Sequence, residues 1–530
     1  MNIEKINNLA EFATSYKDEV SDKECLIVDK EVRTCEEFST NILNHAKRFV
    51  SLGLNKGDRV GILLFNSIEY LEIMYGAMYA GIVPVNINAR YKTNELDYLL
   101  KDSDCKYLFI SSESDEITNF AQLILSVLDE NNQKVASLID TYVIGGSDDE
   151  RLKNFTEFLQ LGIDNVEINT PISKGDDPAF IMYTSGTTSN PKGCPLSHNN
   201  MIHSSISMAE RWTMTEKDTF WDPLPMFHMS AILPFSACLI SKAPYISTVY
   251  FNADESIKIL EEKKVTIAFP AFPAIMLSLV NHPEFDASKL SNLRILNNVA
   301  PIDTLRSFQD ALPNAKQVSA YGLTEGGGVS AYGSPDDPLE KRITTSGRPF
   351  PGVEIRIIDP ETGDQKNNGE KGLIEIKGPS VFSGYLNDPI KTKETLSEDG
   401  WLATGDIGTL SSDGYISYHG RLKDMLKVGG ENVSPAEVEA FLLTMAEVDQ
   451  VAVVGYPDAR LAEIPVAFIV PVDGTEPDQG AVEAHCRGKI AGYKIPRHVL
   501  CVAELPMTPT GKVQKHKLRA RAIEDLGAPD

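Results

Sequence analysis

Short apolar runs and helix-patterned segments alternate through the first hundred residues, and this alternation constrains the fold more than any other feature of the chain. Residues 25–28 form an apolar run, and Thr34 and Glu37 have capping-box spacing ahead of a helical pattern through Ile42, Ala46 and Val50. Lys56-Gly57-Asp58 reads as a turn, residues 59–65 as a strand, and Ser67 as the cap of a second helix that Gly81 ends. Residues 82–87 are again a strand, 94–101 a helix and 106–111 a strand. Parallel neighbours need a long crossover, usually helical, so repeated strand–helix–strand units predict an α/β fold on doubly wound parallel sheets.

The rest of the chain divides by texture. Residues 112–175 are acidic and polar, with a helical piece near 120–128, and read as a surface connection plus one more unit. A second alternating stretch covers 247–320, with strands at 265–269 and 293–299. Residues 345–420 are dense in Gly, Asp and Pro turns between short strands, which predicts a β-rich subdomain. Past Lys423 the pattern resets, with helices at 437–443 and 480–490 and strands at 450–455 and 465–472. The expected organisation is an N-terminal domain over 1–422, including the β-rich part at about 345–420, and a small α+β C-terminal domain over 423–530.

Composition narrows the function classes. The 530 residues are too many for one core, and 42% hydrophobic with 24% charged residues is a soluble globular balance. A formal charge of -25 excludes a concentrated basic face, and with it nucleic acid as a partner. The seven cysteines form no C-x-x-C and read as scattered reduced thiols. The N-terminus has no apolar core of a secretory signal. The most membrane-like stretch, 70–88, carries Glu72, two glycines and a proline, short of the roughly 20 apolar residues a spanning helix needs. A cytoplasmic protein without an integral membrane segment is expected.

The sharpest chemical signal is the string Tyr183-Thr-Ser-Gly-Thr-Thr-Ser-Asn-Pro-Lys-Gly193, placed after the apolar run 179–182. Thr184, Ser185, Gly186, Thr187 and Thr188 offer many N–H and O–H donors with little bulk, and Lys192 adds a cation, as a triphosphate requires. The string is not a P-loop: Lys192 precedes Gly193, and Cys194 follows. A solvated Ser/Thr turn is the plainer alternative, and the length and order of the string argue against it.

At this string the chain resembles the adenylate-forming superfamily of acyl-CoA synthetases, luciferases and nonribosomal adenylation domains, and is most similar to AMP-forming acyl-CoA ligases. Later segments match in family order: Pro223-Leu-Pro-Met-Phe-His228, Tyr321-Gly-Leu-Thr-Glu325, Gly400-Trp-Leu-Ala-Thr-Gly-Asp406, Gly420-Arg-Leu-Lys-Asp424 and Pro509-Thr-Gly-Lys512. The resemblance implies ATP, Mg2+ and coenzyme A. It implies that Thr324 meets a phosphate oxygen and that Glu325 gives Mg2+ an oxygen ligand. Ala300, Pro301, Tyr321 and Gly322 would frame the adenine, with Tyr321 offering a flat face for stacking. Asp406 and Arg421 would hold the ribose. His228 would gate or position the acyl group, and Lys512 would stabilise charge on the α-phosphate during adenylation. Lys423 would be the hinge, with Lys427, Gly429 and Gly430 serving the thiol step. Asn298 stands where relatives often have glycine, which puts the acyl pocket's shape in question.

The implied reaction joins a carboxylic acid to AMP with loss of pyrophosphate, then to a thiol with loss of AMP. Three alternatives stay open: an amino-acid or aryl-acid adenylating enzyme serving a carrier-protein thiol, a luciferase-like oxygenase, and a nucleotide-binding pseudoenzyme. The first would usually place an acid where His228 stands. Met229, Ser230, Ala231, Ile232, Gly326–Gly328, Phe269 and Phe272 are small or apolar, so an aliphatic or alicyclic monocarboxylic acid is expected. A homodimer is compatible with this reading.

Overall fold

Local pattern becomes structure wherever the side chains that define an element can also satisfy its ends. The computed structural model describes residues 6–15, 20–113, 119–131, 135, 137–184, 191–428, 431–458, 460–487, 489–507 and 513–527. Thr34 and Glu37 form the expected capping box. The Glu37 N–H donates to Thr34 Oγ1 at 3.2 Å, and the Thr34 N–H to Glu37 Oε2 at 2.9 Å. The helix they start, Cys35–Ser51, buries Phe38, Ile42, Ala46 and Phe49 on one face. Ser67 caps helix Ile68–Tyr79, accepting from the Tyr70 N–H at 3.2 Å. That helix is apolar almost all round and buried along its length, touching strands of both large sheets. Gly81 follows it with φ +73°, a left-handed turn that a Cβ would strain.

The chain divides into two units. Unit 1 comprises 1–355, 376–402 and 413–416; unit 2 comprises 356–375, 403–412 and 417–530. Unit 1 holds two seven-stranded sheets. In the first the order is Lys153–Asn154, Asp140–Ile144, Cys105–Ser111, Arg59–Leu63, Val83–Asn86, Pro178–Thr184, Lys192–Ser197. In the second it is Lys316–Val318, Ile295–Asn298, Ile267–Ala271, Phe220–Trp221, Tyr245–Ser247, Glu24–Val28, Glu31–Thr34. Each sheet is parallel apart from one antiparallel edge strand: Lys192–Ser197 in the first and Glu31–Thr34 in the second.

One placement differs from the plain reading of the alternation. The first strand, Glu24–Val28, does not join its sequence neighbours but runs parallel to Tyr245–Ser247 in the second sheet. The acidic stretch after 112 contributes Asp140–Ile144 and Lys153–Asn154 to the first sheet, which is the further unit expected there. Local periodicity identifies a strand but carries no information about its partner.

The second sheet shows how alternation sorts its faces. Trp221, Ile246, Ala268 and Leu296 point into one apolar cluster under the helices Ala253–Glu262 and Ile302–Ala311. Their neighbours Phe220, Tyr245 and Phe269 face the other way, and Phe220 and Phe269 stack around Trp212.

Residues 345–420 contain the four-stranded sheet Glu354–Ile358, Gly372–Lys377, Leu402–Leu410, Ile416–Arg421, as their turn density predicted. Within unit 2 a further sheet runs Glu431–Val433, Leu426–Val428, Ala462–Pro471, Val448–Asp458, with His498–Cys501 parallel to Ala462–Pro471. It is buried on both faces. Val451 and Val453 pack with Val438 and Val482, while Ala452 and Val454 pack with Leu518 and Ala522 of the last helix. No described helix is long and apolar enough to cross a membrane.

Candidate active site

The phosphate-loop string begins on a central strand and returns on an edge strand. Pro178–Thr184 pairs antiparallel with Lys192–Ser197, with Thr184 opposite Lys192 and Tyr183 opposite Gly193. The returning strand was not evident in the sequence, where Lys192 read as part of the loop. The hairpin brings Lys192 beside Thr184 at the carboxyl end of the sheet, where ligands bind in open α/β folds. Ser185, Gly186, Thr187 and Thr188 lie outside the described residues, as do Gly429, Gly430 and Lys512. Tyr183 anchors the strand end by donating its hydroxyl to Asp102 Oδ2 at 2.7 Å.

Thr324 and Glu325 stand on a single 3-10 turn, Thr324–Gly326, closed by the Gly327 N–H on the Thr324 carbonyl. The approach to that turn requires glycine at 322: a Cβ there would lie 2.3 Å from the Gly328 carbonyl oxygen. Glu325 is held from two sides. Its carbonyl accepts the Phe382 N–H at 2.9 Å, and its Oε1 accepts the Tyr385 hydroxyl at 2.8 Å. The Lys192 ammonium lies 5.6 Å from the centre of the same Tyr385 ring. Tyr385 thus links the phosphate-loop lysine to the candidate metal ligand. Burial, then the Glu325 carboxylate, push the Tyr385 hydroxyl far above its usual range, so it remains a protonated donor.

Tyr385 is the candidate site residue that sequence reading missed. It lies 60 positions from Glu325 on an irregular segment, and no local pattern joins them. Among the described residues no group of three or more His, Cys, Asp and Glu can hold a metal ion. A lone carboxylate suits Mg2+, which keeps waters and takes further oxygens from substrate phosphates.

The remaining unit 1 residues occupy neighbouring strand ends. Ala300 and Pro301 follow strand Ile295–Asn298, and Pro301 is the N-cap of helix Ile302–Ala311. Asn298 is buried and donates to Gln317 Oε1 at 2.9 Å, which explains a polar residue where a glycine is frequent. Tyr321 is buried, 5% exposed, at the end of strand Ala320–Tyr321. Phe269 is likewise absorbed into the aromatic core, whereas Phe272 is exposed. His228 is half-buried at the N-cap of helix Met229–Ser241, its ring 4.7 Å from that of Phe227. Met229 packs on Gly328, where a Cβ would come within 2.8 Å of the methionine Cε. The His228 segment and the triglycine therefore share one wall.

In unit 2, Asp406 is buried and its backbone N–H donates to Thr404 Oγ1 at 3.1 Å. Arg421 Nε lies 2.8 Å from Asp406 Oδ1. Strands Leu402–Leu410 and Ile416–Arg421 thus carry the expected ribose pair as neighbours. Lys423 sits in the 3-10 turn Leu422–Asp424, whose Asp424 is paired to Arg519 at 3.3 Å. Lys427 is exposed on strand Leu426–Val428, with its backbone N–H on Glu463 Oε2 at 2.8 Å.

The chain is similar to known proteins over most of its length. Residues 13–386 match the family model described as AMP-binding enzyme, and 437–512 match that of the AMP-binding enzyme C-terminal domain. The Bacillus subtilis (strain 168) protein YngI, which carries an acyl-CoA synthetase name, is 34% identical over 94% of this chain and 93% of its own length. The mitochondrial medium-chain acyl-CoA ligase ACSF2 of Homo sapiens is 30% identical over 96% of this chain and 86% of its own. Among solved structures, ATP-bound MatB from Rhodopseudomonas palustris superposes with a TM-score of 0.87 at 29% identity, covering 98% of this chain and 99% of MatB.

Proposed function

Because the chain belongs to the AMP-binding enzyme family, we propose that it is an acid–thiol ligase, which uses ATP to activate a carboxylic acid as an acyl-adenylate and transfers the acyl group to coenzyme A. The observation that carries this reading is the Lys192–Tyr385–Glu325 arrangement at the mouth of the phosphate-loop hairpin. It sets a cation over the ring and an oxygen ligand at the hydroxyl of one tyrosine, as a nucleoside triphosphate with its magnesium needs.

In the first half-reaction a substrate carboxylate oxygen bonds to the α-phosphorus and pyrophosphate leaves. Lys192 and Thr184 hold phosphate oxygens. Thr324 donates its hydroxyl to a phosphate oxygen, and Glu325 would hold Mg2+ through a carboxylate oxygen. Bound Mg2+ would supply charge neutralisation on the phosphates. Asp406 accepts the ribose hydroxyls and Arg421 steadies it. Lys512 faces the developing charge between two anions. In the second half-reaction the thiol sulfur bonds to the acyl carbon, AMP leaves with the bonding pair, and the thiol proton passes to solvent. His228 positions the acyl group. Lys423 is the hinge between the N-terminal domain, 1–422, and the C-terminal domain, 423–530, and Lys427, Gly429 and Gly430 serve the thiol step.

The acyl group proposed is an aliphatic or alicyclic monocarboxylic acid. The support is the apolar contact of Met229 and Leu233 with Gly328, together with the medium-chain name of a relative. Pyrophosphate release measured over a panel of aliphatic, alicyclic and aromatic acids, with and without coenzyme A, tests both levels. AMP and pyrophosphate are expected with an aliphatic or alicyclic acid. ADP and inorganic phosphate as primary products reject the ligase, and a preference for aromatic acids rejects only the acyl assignment.

A further inference from the structure

The segment that carries His228 is irregular, and one buried side chain from outside it holds two of its backbone groups. Residues 222–228 contain Pro223 and Pro225, which have no N–H to give. The Asp222 N–H reaches the Ile246 carbonyl at 2.9 Å, and the Leu224 N–H turns back to Asp222 Oδ1 at 2.9 Å. Beyond that point Asn66 takes over. Its Oδ1 accepts the Met226 N–H at 2.7 Å. Its Nδ2 donates to the Leu224 carbonyl at 2.9 Å, the Thr248 carbonyl at 3.0 Å and Ser247 Oγ at 3.1 Å. Three acceptors share two hydrogens, so one hydrogen is bifurcated. The amide cannot be turned over, because Oδ1 meets a donor and Nδ2 meets two carbonyls.

Asn66 is itself rigidly placed. It is 4% exposed and sits between strand Arg59–Leu63 of the first sheet and Ser67, the cap of helix Ile68–Tyr79. Its partners lie at the end of strand Tyr245–Ser247 of the second sheet and in the His228 segment. Two residues beyond Met226, the His228 N–H folds onto the Pro225 carbonyl at 3.0 Å, and the His228 carbonyl starts helix Met229–Ser241 through Ala231 at 3.1 Å and Ile232 at 3.2 Å. The Asn66 carboxamide therefore fixes the height at which this helix begins.

We propose that Asn66 is a positioning residue of the acyl site: by holding Leu224 and Met226 with one planar amide, it sets where His228 stands relative to the acyl group. The inference rests on the proposed ligase reading for the role of His228, while the contact itself is independent of that reading. Loss of the amide leaves the Leu224 carbonyl and the Met226 N–H without their partner, so the segment shifts or loosens and takes His228 with it. Ser247 stays paired with Val28 in the second sheet and moves less.

The test compares Asn66→Ala, His228→Ala and the double variant. Hydrogen exchange over 222–228 is read by mass spectrometry, and kcat/KM for the best acid by acid-dependent ATP–pyrophosphate exchange. Asn66→Ala should raise exchange in 222–228 and lower kcat/KM by about 10² -fold, the scale of a small misplacement of a positioned group. The double variant should match His228→Ala to within about threefold, because residues acting through one group do not add. Unchanged exchange over 222–228, a near-wild-type kcat/KM, or fully additive losses overturn the proposal. Should Asn66→Ala not fold, Asn66→Ser, which keeps one donor and acceptor, carries the same comparison with a smaller expected loss. A wild-type protein that shows no acid-dependent exchange with any acid overturns the ligase reading instead, and hydrogen exchange still decides whether Asn66 holds the segment.

Discussion

Replacing Tyr385 by Phe isolates one bond at the candidate metal ligand. The hydroxyl donates to Glu325 Oε1 at 2.8 Å, while the ring packs edge-on to Phe382 at 4.9 Å and 78° and faces the Lys192 ammonium at 5.6 Å. Phenylalanine keeps the ring contacts and loses only the donor. A hydrogen bond to a charged group contributes about 1.5–3 kcal/mol. Removing a residue that orients a metal ligand costs about 10–100-fold in metal affinity, which is about 1.4–2.7 kcal/mol. The two scales agree, so the Mg2+ concentration for half-maximal ATP–pyrophosphate exchange should rise by about 10-fold or more in Tyr385→Phe. A second effect opposes this: the hydroxyl competes with the cation for the carboxylate oxygen, so its loss frees that oxygen. Orientation should prevail, because the Tyr385 hydroxyl bonds directly to the carboxylate oxygen Oε1. A magnesium titration of the exchange reaction decides the matter. An unchanged or lowered Mg2+ requirement, in a variant of native thermal stability, refutes the assignment of Tyr385 as the residue that orients Glu325.

Two further outcomes are expected. Lys512→Ala should lower adenylation by roughly 10²-fold while sparing thioester formation from supplied acyl-adenylate, so equal losses in both half-reactions count against its role. Glu72 is buried under Arg33 and Asn41, and burial lifts its carboxyl to about 7. Its folded value lies above the unfolded one, so the stability it allows is full below about pH 4.5 and declines as pH rises toward 7. Glu72→Gln should therefore be close to neutral at the acid end and stabilising by up to about 3 kcal/mol above pH 7, as read by urea unfolding across pH. A constant difference between the two proteins across that window would show that Glu72 is not the titrating group.

What could be read along the chain was whatever neighbours in sequence decide among themselves. The Thr34–Glu37 box, the Ser67 cap and the alternation of Val451 to Val454 between two cores each involve residues within one turn or one strand. The motif residues were legible for the same reason: Thr324 with Glu325, and Tyr183 through Lys192, are contiguous. Tyr321 shows the limit. Its place beside Gly322 was clear, but its burial depends on what packs over it.

Pairing across the fold belongs to the tertiary structure alone. Strand Glu24–Val28 has the pattern of its neighbours yet crosses to the second sheet, because backbone hydrogen bonds accept any extended partner and packing chooses among them. Tyr385 reaches Glu325 across 60 residues, and Asn66 reaches Leu224 across 158. The sequence by itself determined the α/β class, the β-rich stretch and the catalytic string, since those follow from periodicity and from residue types that phosphate chemistry demands. Only the folded chain decided which buried amide and which hydroxyl would hold His228 and Glu325 in place, because a polar group leaves water only where a specific distant partner replaces it.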